Sequence, residues 1–132
     1  MPGVKICVME PHVRITKDTW IKTLQAEVLA FVIDPHWVEG VLGYPIINGL
    51  ARYICQEADI AFYIHEADSY DEVKKALRFL EMSLEAQDPY MRDLVQECLE
   101  TLESCNRIPQ IKANFGPRVL RLWNESCEKY SE

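Results

Sequence analysis

Apolar residues recur at spacings of three and four along most of this chain, the pattern of helices with one buried stripe. Trp20, Ile21, Leu24, Val28, Leu29 and Val32 follow it, which predicts a helix reaching Asp34. Thr16 or Asp18 can open that helix, because their side-chain oxygens accept the free N–H groups of a first turn. Pro35 cannot continue it but suits the first turn of another, so residues 35–42 read as a short second helix stopped near Gly43. Pro45 opens a third, with Ile46, Ile47, Leu50, Tyr53 and Ile54 inward. The period then blurs: Ile60-Ala61-Phe62-Tyr63-Ile64 either extends the helix or forms an apolar strand, and helix is favoured because no partner strand of similar strength exists. Asp68 or Ser69 is expected to cap a helix burying Val73, Leu77, Leu80 and Leu84. Asp88-Pro89 pairs an N-cap with a proline at the first helical position, and the helix to about Ser104 buries Met91, Leu94, Val95, Cys98, Leu99 and Leu102. Ile108 to Asn114 reads as a short turn of helix. Gly116-Pro117 precedes a last helix lined by Leu120, Trp123, Cys127 and Tyr130. At the other end, Val4, Ile6 and Val8 alternate at period two before Pro11, so residues 3–9 read as a short extended strand or arm.

These elements predict an all-α fold: a single-domain antiparallel bundle of six or seven helices over residues 1–132, with links of about two to six residues. Residues 71–84 and 89–104 are expected to form an αα-hairpin. A chain of 132 residues with 48% hydrophobic and 27% charged positions closes one core, and no segment is polar enough to divide it. No apolar run approaches the roughly 18 residues of a membrane span. The apolar stretch before Glu10 is too short for a signal peptide, so a cytoplasmic location is expected. The five cysteines, Cys7, Cys55, Cys98, Cys105 and Cys127, include no C-x-x-C pair and read as reduced, small core hydrophobes.

Charge changes the picture. The net charge is −7, and residues 53–73 hold Glu57, Asp59, Glu66, Asp68, Asp71 and Glu72 with no Lys or Arg. A second acidic stretch, Glu81, Glu85, Asp88, Asp93, Glu97, Glu100 and Glu103, is relieved by Arg92 alone. Residues 104–124 reverse the sign, with Arg107, Lys112, Arg118 and Arg121 and no acid. Such a layout repels nucleic acid and anionic membranes and attracts a basic partner.

Candidate chemistry is sparse. His12, His36 and His65 have no second histidine at i+3 or i+4, and no Glu-x-x-His pair occurs, so no metal site is assigned. His65, Glu66 and Asp68 could offer ligands on a loop, which is read instead as solvated. No cysteine or histidine carries a catalytic motif, and Gly40, Gly43 and Gly49 lack the Lys and Ser/Thr of a phosphate loop. Arg118 and Arg121 could hold a phosphate near the Gly116-Pro117 turn, but pairing with the acidic helix 89–104 is favoured. Trp20, Trp37 and Trp123 fall on inward faces and are assigned to the core. Tyr63 and Tyr70 sit inside the acidic window, where an aromatic body with a polar tip serves as a protein-binding anchor or as a partly buried core edge.

Between residues 76 and 123, Arg78-Phe79-Leu80-Glu81 ends one helix and Asp88-Pro89 opens another containing Cys98-Leu99-Glu100-Thr101-Leu102. A short link then leads to Phe115-Gly116-Pro117 and a final helix. This stretch, roughly the C-terminal half, resembles a family of small all-α bacterial immunity proteins of contact-dependent growth inhibition and related competition systems. The resemblance implies a cytoplasmic protein without catalytic site or cofactor, whose partner is a cognate toxin. Many such toxins are nucleases, which must be basic to hold a phosphate backbone. The charge layout independently selects Glu57, Asp59, Glu66, Asp68, Asp71 and Glu72 as partner-binding residues, with Tyr63 and Tyr70 as anchors. A helical adaptor or self-associating module is the second reading, and a small enzyme or metal-binding helical protein the third.

Overall fold

The computed structural model describes residues 14–39 and 43–126, and among them every regular element is helical. The arm expected over residues 3–9, and Cys127 and Tyr130, lie outside the described residues. The elements are α1 (Trp20–Glu27), a 3-10 turn (Pro35–Glu39), α2 (Tyr44–Asp59) continued by a π-helical turn (Ile60–Ile64), α3 (Ala67–Ser83), α4 (Pro89–Leu102), α5 (Ile108–Lys112) and α6 (Pro117–Ser126).

Helix α2 is the centre. Ile46, Ile47, Leu50, Ala51, Ile54 and Ala58 are all buried, and its largest contacts are with α4 and then α3. It starts at Gly43, whose φ of 74° suits glycine, and a Cβ there would come within 2.7 Å of the Trp20 ring. Its one half-buried amide fixes the register. Asn48 Nδ2 donates to Glu97 Oε2 at 3.2 Å, and Thr101 Oγ1 donates to Asn48 Oδ1 at 2.7 Å. Asn48 thus meets α4 at Glu97 and Thr101, while farther along Asp59 meets Arg107. The two helices therefore run in the same direction. Sequence neighbours are antiparallel, as expected: Tyr53 of α2 bonds Glu72 of α3, and Phe62 touches Tyr70. The closest packing in the bundle is nonetheless parallel, because the first and third members of an up-down-up set face each other.

Helix α1 ends at Glu27 rather than near Asp34. A turn closed by the Phe31 N–H on the Val28 carbonyl brings the Phe31 ring back onto Trp37 and Tyr53, with centroids 6.1 and 5.4 Å away. Leu29 and Val32, expected inside, are instead 81% and 79% exposed. One buried phenyl ring outweighs another turn of helix, and β-branched Val32-Ile33 followed by the pre-proline Asp34 already disfavours that turn. Thr16 acts one turn early: its hydroxyl accepts the Asp18 N–H at 3.3 Å and its carbonyl the Trp20 N–H at 3.0 Å, while the N-cap position falls to Thr19, which makes no side-chain cap bond. The start of α3 also differs from expectation. Glu66 holds the N-cap position without a side-chain bond, Asp68 lies in the first turn and Ser69 is buried. Asp88 caps α4 as expected, accepting the Tyr90 N–H at 3.1 Å, and all six apolar residues assigned to α4 are buried. Leu84, placed inside by its spacing, is half-buried after the end of α3.

The last helix is rotated from its expected setting. Val119, Leu122, Trp123 and Ser126 are buried, and Leu120 is turned outward. The cause is Glu81 of α3, whose carboxylate accepts the N–H groups of Arg118 and Val119, each at 3.0 Å, and so pins the first turn of α6. Gly116 makes room for it, since a Cβ there would lie 2.4 Å from Glu81 Oε1. Glu81→Ala should therefore cost about 2 kcal/mol in urea unfolding, as expected for losing a charged acceptor of two helix N–H groups. Gly116→Ala should cost a comparable amount by expelling that carboxylate. The double variant should be little worse than either single change, the non-additivity of one shared contact.

Candidate functional site

The residues selected from the charge pattern lie along α2, the π-helical turn and the first half of α3. Ile60–Ile64 cannot all face inward from this turn. Ala61 is buried and Phe62 half-buried, while Tyr63 and Ile64 stand out at 74% and 60% exposure. His65 then takes a left-handed conformation, φ 67°, which reverses the chain into α3. An exposed aromatic–aliphatic pair is thus held at the tip between two helices. Ile64 was not among the residues singled out, although five apolar residues in succession already required some of them to face solvent.

The acids around that tip are not equivalent. Glu66, Asp68 and Asp71 are exposed, and no ion pair links them to another described residue. Asp59 is exposed but shares its Oδ1 with Arg107 Nε at 3.3 Å. Glu57 is half-buried. Glu72 is committed to the fold: it accepts the Tyr53 hydroxyl at 2.7 Å and pairs with Lys75 at 3.2 Å. The tyrosines divide likewise. Tyr70 is half-buried, stacks edge-on against Phe62, lies under Lys74 and donates to Asn114 Oδ1 at 3.2 Å. Tyr63 is the exposed one.

The third dimension adds a cation that the window itself lacks. Arg107, from the acid-free stretch, lies 5.7 Å from the Tyr63 ring centre and borders a shallow apolar hollow with Asp59, Ile60, Tyr63 and Ile64. Asp71 opens onto a groove of about 530 Å³ beside Lys74, Lys75 and Arg78. The window is therefore a mixed surface with an acidic excess at the tip.

Elsewhere, Arg118 pairs with Glu81 of α3 at 3.4 Å rather than with α4, and that carboxylate takes the free N–H groups of the helix start after Gly116-Pro117. Arg92 pairs with Glu125 of α6. Cys98 and Cys105 are buried and Cys55 half-buried, all three as free thiols. His12 lies outside the described residues, and His36 and His65 are exposed. Among the described residues no three His, Cys, Asp or Glu side chains are grouped to hold a metal ion, and no helix is long and apolar enough to cross a membrane. In comparisons with known proteins, no family model matches the chain, and no curated protein or solved structure resembles it significantly.

Burial and the bond to Glu72 hold the Tyr53 hydroxyl well above its ordinary value. Burial, with a hydrogen bond to Cys105, pushes the Cys55 thiol up to about 12, and burial raises Cys98 as well. Each raised group favours folding while it keeps its proton, so its contribution is intact below the unfolded-state value and is lost as pH rises toward the folded one. Unfolding midpoints should accordingly hold level up to the ordinary thiol value of 9.0 and fall above it. Tyr53→Phe combined with Cys55→Ala should lessen that alkaline decline and leave the part that Cys98 contributes, as read by urea titrations across the pH range.

Proposed function

We propose that this chain is a non-enzymatic immunity protein that binds and neutralises a cognate bacterial toxin, a basic nuclease, in the cytoplasm. The observation that carries this reading is the exposed Tyr63–Ile64 pair at the α2–α3 tip, with Asp59 and Arg107 beside it and the exposed carboxylates of Glu66, Asp68 and Asp71 in the segment that follows. Interfaces concentrate binding energy in aromatic anchors surrounded by polar rims, and an acidic rim speeds encounter with a basic cleft. Glu57, Tyr70 and Glu72 support the surface from beneath, since each is partly buried in the bundle. The resemblance over residues 76–123 points the same way. Neither a nucleic acid nor a membrane is the partner under this reading, because the tip would repel both.

A self-associating helical module is the second reading, favoured by the exposure of Leu29 and Val32 after α1. It predicts a dimer that Leu29→Glu with Val32→Glu dissolves, whereas an immunity protein keeps its toxin affinity in that variant.

The decisive measurement is calorimetric titration of the chain with the product of the neighbouring reading frame at several salt concentrations. A complex whose affinity falls with salt is expected. Glu66→Lys, Asp68→Lys and Asp71→Lys together should weaken it by about 100-fold and flatten the salt dependence. Tyr63→Ala should weaken it by about 30-fold or more with the salt dependence kept. Unchanged affinity in both variants would remove this surface from the interface, and absence of any complex would remove the function.

A further inference from the structure

At the other end of α3, three arginines line one depression. Arg92 of α4 and Arg118 and Arg121 of α6 border a depression of about 190 Å³ together with Gln87, over a floor formed by Leu84 and Leu122. We propose that this depression is a binding site for a phosphate group, free or as a monoester. Its volume admits a tetrahedral dianion together with an attached group.

One of the cations there is unpaired and the other two are held by exposed or long contacts. Among the described residues no carboxylate lies within ion-pair distance of Arg121. Arg118 spends one nitrogen on Glu81, at 3.4 Å, and a guanidinium has five N–H donors. The pair between Arg92 and Glu125 is exposed on both sides, and such pairs add little in water, so Arg92 can turn to a bound dianion at small cost. Two carboxylates also border the rim, Asp88 as the cap of α4 and Glu125 as the partner of Arg92, so the lining arginines exceed the lining acids by one.

Gln87 supplies an independent argument. It lies in the link between α3 and α4 with φ 58°, a conformation that glycine adopts without steric cost and that other residues adopt at a penalty. The chain nevertheless holds there a side chain whose amide donates hydrogen bonds and borders the depression. Three arginines and an amide around an apolar floor match a phosphate's oxygens above and an attached carbon skeleton below.

Nuclear magnetic resonance titration of the intact chain with inorganic phosphate, and separately with phenyl phosphate, tests this. Saturable shifts are expected at the side-chain Nε–H groups of Arg92, Arg118 and Arg121 and at the Gln87 amide, weakening as salt is added. Tighter binding of phenyl phosphate identifies a monoester that uses the leucine floor, and equal binding identifies free phosphate. Arg121→Gln should weaken binding by about tenfold or more. Gln87→Gly should also weaken it while leaving the unfolding midpoint unchanged or higher, which separates a binding role from a structural one. Shifts that fail to saturate, or both variants binding phosphate as the unaltered chain does, would overturn the site.

Discussion

Everything in this molecule is arranged around the burial of α2. A helix with apolar residues facing both α3 and α4 must be covered on both sides, so its neighbours are held to it by the removal of Ile46, Ile47, Leu50 and Ile54 from water. Hydrophobic burial is indifferent to register, and the one half-buried amide is not. Asn48 is satisfied where Glu97 and Thr101 face it, and because these two lie one turn apart, a slip of α4 by a turn keeps one of them in reach and costs one of the two bonds. That single polar contact sets how far α4 runs past α2. It also sets where the chain emerges after α4, which delivers Arg107 to Asp59 and Tyr63.

Electrostatics follows from this geometry rather than leading it. The acid-free segment 104–124 and the acidic stretches are far apart in the chain and partly neutralise one another in space, through Arg107 with Asp59 and Arg118 with Glu81. These contacts differ in weight. The Asp59 pair is exposed on the carboxylate side and contributes little to stability. Glu81 answers two otherwise unpaired helix N–H groups and orients the whole of α6. The two groups of charges singled out for partners lie at opposite ends of α3. Glu66, Asp68 and Asp71 are near the start of α3, and the arginine depression is at its far end. Helix α3 has 17 residues. At about 1.5 Å per residue, the two surfaces are thus roughly 25 Å apart, far enough for oppositely charged partners to occupy them without contact.

The order of the helices was legible from residue spacing because burying one face imposes a 3.6-residue period that local sequence must obey. Asp88-Pro89 and the six buried residues of α4 show how much such a pattern holds, since cap, proline and stripe all agree. Glu57, Asp59 and Tyr63 were equally legible as an acidic, aromatic neighbourhood, for they are close in sequence and on consecutive turns. Two of the differences share one cause. Phe31 leaves the helix for Trp37 and Tyr53, and α6 turns to follow Glu81. In each case a partner remote in the chain outbids the local period.

Sequence alone thus settles the helical class, the positions of most helix starts and the clustering of acids at the α2–α3 tip, all of which rest on interactions within a few residues. Which acids stay free, which tyrosine faces solvent and which arginines line one depression depend on contacts between segments separated by dozens of residues. Glu72 and Glu66 look alike in the chain, yet one is bound to a tyrosine on the neighbouring helix and the other is open to water. No local pattern encodes that difference, because the partner enters only when the helices pack.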